Sequence, residues 1–194
     1  MNDVADWWST AIIDMEPGRI AIRGHEIESL IGQLTFPQMI GLMLRGEVPS
    51  DAQARLLEAA LVAAVDHGPQ APSIAAARMS VTCGLPLNAA MATAVNMLGD
   101  VHGGAGEQAV ELYRWVVDDG LSVAQAVDTW RQARGKYLPG FGHRFHPVDP
   151  RAPALLALVD DAVAAGTVTG EYAKTARAIE AHLTHKASKP IPMN

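Results

Sequence analysis

The chain has 194 residues, 49% of them hydrophobic, 5% aromatic, and a net charge of −6. That length fits one domain or one domain with a small lobe, burying roughly 70% of its unfolded surface without staples, and no run is apolar enough to span a bilayer or shaped like a signal peptide. The acidic balance gives no support to nucleic-acid binding, and the single cysteine, Cys83, excludes an internal disulfide framework and fits a reducing, cytoplasmic compartment.

In chain order, Trp7 and Trp8 read as anchors that dock an N-terminal arm. Residues 19–23 alternate around Ile20 and Ile22 and suggest a short strand or hairpin arm. Everything after reads as helix, so the expected fold class is mainly α. Thr35 with Gln38 has capping-box spacing and opens a helix over 36–45. Ser50 with Gln53 opens another over 51–66, in which Leu57, Leu61, Ala64 and Val65 recur at helical spacing and imply a buried face. Helices follow over 73–83, with Cys83 packed among apolar neighbours, over 87–98, stopped by Gly99, and over 104–118. Ser122 with Gln125 starts 123–134, which stops at Gly135. Asp149 before Pro150 reads as an N-cap with proline at the first helical position, giving 150–165 up to Gly166, and 170–185 completes the set. The least regular stretch is 135–150, and irregular loops often carry function.

Seven histidines are present, and three stand beside glycine or proline at helix edges: His67, His102 and His143. His102, in Val101-His102-Gly103-Gly104-Ala105, precedes a helix whose positive end should keep the imidazole neutral, able to donate to a carbonyl that becomes an enolate. An N-terminal cap with glycines for tight packing explains it equally well. His143 has Arg144 beside it and Arg151 eight residues on, a group that could clamp a dicarboxylate; a solvated basic loop is the plainer alternative. His143 and His146 have no cysteine or carboxylate cluster to make a metal site with, so no metal is expected. His67 ends a long helix, where its charge would complement the dipole. His25, His182 and His185 look like surface residues. Gly103-Gly104-Ala105-Gly106 follows no strand and is too short for a dinucleotide fingerprint.

Together Asp66-His67, Val101-His102-Gly103-Gly104-Ala105 and Gly140-Phe141-Gly142-His143-Arg144, followed by Asp149-Pro150-Arg151, resemble the citrate synthase superfamily. Glu16-Pro17-Gly18, Arg23-Gly24-His25, Leu44-Arg45-Gly46-Glu47-Val48-Pro49 and Ile191-Pro192-Met193-Asn194 extend the likeness over nearly the whole chain. Within the superfamily it is most similar to the short citryl-CoA lyases. The resemblance implies that His102 stabilises a thioester enolate and that His143 polarises the keto oxygen of oxaloacetate. It implies too that His67, Arg144 and Arg151 bind the substrate's carboxylates. Leu138, Pro139, Gly140, Phe141 and Gly142 would run beside coenzyme A, which enters as a thioester substrate; no permanently bound cofactor is implied. The partners implied are small molecules (an acyl-CoA with oxaloacetate, or citryl-CoA) and a second copy in a homodimer, with neither nucleic acid nor membrane.

Three domains are expected on this basis: 1–104 as the N-terminal part of a helical large domain, 105–185 as a small helical lobe with the catalytic loop, and 186–194 as the start of the return. The sequence departs from the family where Phe145-His146 replaces a common Tyr-Lys, where Gly68 replaces a frequent glutamate, and in a route from His143 to Asp149 one residue shorter. The family's catalytic aspartate falls about two residues past the position of Asn194, so a C-terminal truncation, and little carbon–carbon chemistry by these residues alone, is expected. The expected activity is cleavage of citryl-CoA to acetyl-CoA and oxaloacetate. Citrate or 2-methylcitrate synthesis is the nearest alternative, and a non-catalytic binding or interaction subunit the alternative from another class.

Overall fold

Capping and spacing place the eight expected helices within three residues of their observed ends, and the described residues (4–143, 146–186 and 189–194) add two short helices and a sheet. This computed structural model divides into two units, Met1–Val62 and Ala63–Asn194.

In the first unit α1 (Val4–Trp8) leaves Trp7 and Trp8 82% and 77% exposed, so they do not dock the arm. The strands β1 (Ile13–Glu16), β2 (Arg19–Ile22) and β3 (His25–Glu26) form one antiparallel sheet with β2 in the middle, Ile13 opposite Ile22 and Ala21 opposite Glu26. Arg19 pairs with Asp14 and Glu26 at 2.7 and 2.8 Å, exposed contacts that add little stability. Helices α2 (Ile27–Leu30), α3 (Phe36–Arg45) and α4 (Asp51–Ala63) follow. The Thr35 and Ser50 capping boxes both form, and the Gln38 side-chain amide donates to Asp51 Oδ1 at 3.0 Å, tying the starts of α3 and α4.

Helix α4 stops three residues short of the expected end. Asp66 Oδ1 accepts the Gly68 N–H at 2.9 Å, a local turn that competes with another helical turn. Ala64 and Val65 therefore leave the helix and are exposed, as is Leu61; Leu57 is half-buried and Ala54 is the residue that is buried. The expected apolar face does not form.

In the second unit α5 (Pro72–Thr82) packs against α6 (Leu87–Asn96), and Cys83 caps the C-terminus of α5 in an exposed position instead of packing inside it. The core is built by α7 (Ala105–Val117), α8 (Val123–Arg134) and α10 (Glu171–Lys186), around Leu112, Val127, Trp130, Ile179 and Leu183. Trp130 is its largest member: its ring lies 5.6 Å from that of Trp115 and 4.6 Å beneath the Arg134 guanidinium, which also reaches Glu111 on α7 at 2.7 Å. The indole N–H donates to the Tyr137 carbonyl at 3.1 Å, so the core fixes the start of the loop after α8. Helix α9 (Arg151–Ala164) begins one residue later than expected, yet the Asp149 carboxylate still accepts the Arg151 backbone N–H at 2.9 Å. His182 differs from its expected surface placement: it is half-buried, and its Nε2 is shielded from solvent without a partner among the described residues. No helix among the described residues is long and apolar enough to cross a membrane.

Candidate functional site

His102 sits in a turn that only glycine can close. Gly99 N–H donates to the His102 carbonyl at 2.8 Å and Gly104 N–H to the Gly99 carbonyl at 3.0 Å. A Cβ on Gly104 would lie 2.8 Å from Asp100 Cα and 2.9 Å from its carbonyl oxygen, closer than backbone atoms permit. The turn aims the ring at the N-terminus of α5, where Nε2 accepts the Ser73 N–H at 3.2 Å and lies 2.9 Å from Ser73 Oγ. A backbone N–H can only donate, so Nε2 is unprotonated and the neutral ring carries its hydrogen on Nδ1. The helix end that reaches His102 is therefore that of α5, and not that of α7, which follows it in sequence.

His143 is set by the opposite nitrogen. The His146 N–H donates to His143 Nδ1 at 3.0 Å, and the two rings lie 4.7 Å apart. In the neutral ring the proton then belongs to Nε2.

Asp149 is 1% exposed and grips Arg151 by both oxygens, at 2.9 Å to Nε and 2.6 Å to Nη2. Those hydrogen bonds outweigh the opposing effect of burial and hold the carboxyl well below the usual carboxylate range, with a smaller contribution from His143. Arg151 Nη1 also donates to the Ala63 carbonyl at 3.4 Å. Among the described residues three of the five guanidinium N–H groups are thus engaged, leaving two to meet an anion.

These elements surround a cleft of about 670 Å3 lined by His67, His102, His143 and Arg151, four of the residues singled out in the sequence. His146, Gln70, Asp66 and Asp149 line it too. His67 lies past the end of α4, in the turn that Asp66 makes, so it does not cap that helix. Arg144 lies outside the described residues. The five loop residues expected beside coenzyme A do not line the cleft. Leu138 and Phe141 are buried in the core, whereas Pro139 and Gly140 are half-buried and Gly142 exposed. Sequence reasoning missed Ser73 and did not see that Asp149 would bind a guanidinium. A serine two residues into a helix carries no local signal, but the Asp149-x-Arg151 spacing could have shown the pair.

The family model for the citrate synthase C-terminal domain matches residues 43–194. A citrate synthase of Haloferax volcanii is 36% identical over 119 residues, which are 58% of this chain and 30% of that protein. Citryl-CoA lyase from Hydrogenobacter thermophilus superposes over 96% of this chain and 72% of its own, with 34% identity and a TM-score of 0.84. An ATP citrate lyase of Methanosaeta concilii, in a structure with citryl-CoA, has a TM-score of 0.83 at 21% identity, covering 96% of this chain and 30% of its own. The chain thus spans about a third of the length of the citrate synthase and most of that of the lyase. With helices α4 to α10 and the histidine-lined cleft all lying within the family match, the chain belongs to the citrate synthase family.

Proposed function

We propose that the protein makes or breaks a carbon–carbon bond between an acyl-CoA thioester and oxaloacetate, and that its reaction is the cleavage of citryl-CoA to acetyl-CoA and oxaloacetate. The observation that carries the reading is the convergence of His67, His102, His143 and Arg151 on one cleft. The TM-score of 0.84 at 34% identity to the citryl-CoA lyase, against 0.62 at 28% to a citrate synthase from Pyrobaculum aerophilum, favours lyase over synthase. The 36% identity to the Haloferax synthase keeps citrate or 2-methylcitrate synthesis as the second reading.

In cleavage, the tertiary hydroxyl gives up its proton to water as that oxygen becomes the keto oxygen of oxaloacetate, and the Nε2–H of His143 donates to the oxygen as the negative charge on it develops. The electron pair of the breaking carbon–carbon bond passes into the thioester, forming an enolate. The Nδ1–H of His102 donates to the enolate oxygen, a preorganised interaction that is strongest when charge develops. His67, Arg151 and Arg144 hold the carboxylates, Arg151 through the N–H groups that Asp149 leaves. The enolate carbon then takes a proton from a carboxylic acid. The family's aspartate is the proposed acid for that step, and without such an acid the cleft would bind ligand without turning it over, the behaviour of a non-catalytic subunit. Coenzyme A would approach along Leu138, Pro139, Gly140, Phe141 and Gly142 and meet backbone groups, since two of those side chains are buried. A second copy of the chain is the proposed partner, seated on the apolar face of α5 and α6, where Met79, Leu87, Met91 and Val95 are each more than 60% exposed.

Supplied citryl-CoA should yield acetyl-CoA and oxaloacetate in equal amounts. Release of free thiol from acetyl-CoA plus oxaloacetate, without citryl-CoA cleavage, would replace the lyase reading by the synthase one. His143→Ala should cost about 2.7–4 kcal/mol of transition-state stabilisation, the loss typical of one oxyanion donor; near-normal turnover would remove its assigned role. His102→Ala should suppress enolate formation and spare oxaloacetate affinity, and equal loss of both would make His102 structural.

A further inference from the structure

Gly142 precedes His143, and both of its backbone polar groups are held by residues about fifty positions away. Its N–H donates to the Pro192 carbonyl at 2.7 Å and its carbonyl accepts from the Asn194 side-chain amide at 2.8 Å. The Asn194 backbone N–H donates to the Gly140 carbonyl at 3.0 Å, and Phe141 and Met193 face each other in an antiparallel bridge. Gly142 has a left-handed φ of 77°, a conformation that favours glycine, and a Cβ there would sit in ordinary contact, 3.4 Å from Ile191 Cγ2. The carbonyl of Gly142 and the N–H of His143 share one planar peptide group. Holding that carbonyl therefore fixes the plane from which His143 departs.

The segment 191–194 is itself anchored. The Met193 N–H donates to Glu180 Oε1 at 2.8 Å. Glu180 is half-buried on α10, next to Ile179, which is fully buried in the core. The neighbouring cation on that helix, Arg177, is taken by both oxygens of Asp160 at 2.9 and 2.7 Å. A line of contacts thus runs from the core through Glu180 and Met193 to the peptide that carries His143.

We infer that Glu180 and the segment 191–194 form a clamp that sets the position of His143, with Glu180 and Asn194 as positioning residues for the ligand's keto oxygen. The inference rests on the reading of His143 as a substrate-binding group. The clamp acts on geometry: a donor displaced by about 1 Å loses much of its effect, and the His143 loop has two glycines whose freedom must be removed by contacts elsewhere.

Amide hydrogen exchange resolved at Gly142, together with titration of oxaloacetate, tests this in the wild type and in Glu180→Ala, Glu180→Gln and Asn194→Ala. Glu180→Ala and Asn194→Ala should each speed exchange at Gly142 and weaken oxaloacetate binding by about five- to tenfold, the worth of one net hydrogen bond. Exchange at Trp130 in the core should stay as in the wild type. Glu180→Gln should restore both readings, because its amide oxygen accepts the same N–H. The clamp is overturned if neither alanine variant alters Gly142, if glutamine is as damaging as alanine, or if exchange rises equally across α7, α8 and α10. If the wild type takes up no oxaloacetate, the functional reading falls, and the exchange pattern alone decides for or against the clamp.

Discussion

Buried at 1% exposure, the Asp149 carboxylate depends on Arg151 for its charge. Its folded value is depressed, so its contribution to stability is fully present above its ordinary value, about 3.9, and is lost as pH falls further toward the folded value. Urea unfolding followed against pH should show stability dropping below about pH 4. Arg151→Ala should cost about 1–3 kcal/mol at neutral pH, discounted because the guanidinium is 39% exposed, and should flatten that acid slope. Equal stability of the two proteins at both pH values would mean that the pair does not matter to the fold. Tyr113 behaves in the opposite sense: burial pushes its phenol up to about 12, so it stays protonated wherever this cleft could work.

Trp130 joins the elements of the second unit to the loop that leads to His143. It fills the core between α7, α8 and α10 and donates to the Tyr137 carbonyl. Trp130→Ala should cost about 3–5 kcal/mol by cavity formation and should leave the loop after α8 open to proteolysis; a loss under 1 kcal/mol would contradict the packing described. The apolar face of α5 and α6 makes a separate prediction. If it seats a second copy, Met91→Glu with Val95→Glu should lower the sedimentation coefficient without loss of helical circular dichroism, whereas unchanged association would exclude this face. Helices were legible in the sequence because their start signals are local: the Thr35, Ser50 and Ser122 boxes all form. Strand β2 was legible from the alternation over 19–23, whereas its partners β1 and β3 were not expected: β1 is exposed along its whole length and β3 is two residues long. Helix α4 was misjudged because apolar spacing continued to Val65, while the Asp66 side chain ended the helix with one hydrogen bond. What the sequence could not reveal is which partner each ring would find: Ser73 is 29 residues from His102, and only folding brings them together.

Across the whole molecule the cleft belongs to the second unit, and its chemistry follows from turns fixed by different helices: α5 sets His102, and the start of α9 carries Arg151, held by Asp149 from the loop before it. The account rests most on the cleft as a site for a keto-dicarboxylate, and calorimetric titration of oxaloacetate into residues 1–194 tests that directly. Saturable binding at one site per chain, at least tenfold weaker in His143→Ala in keeping with about 1.4 kcal/mol or more, is the expected result. No binding, or binding unchanged in His143→Ala, would contradict it.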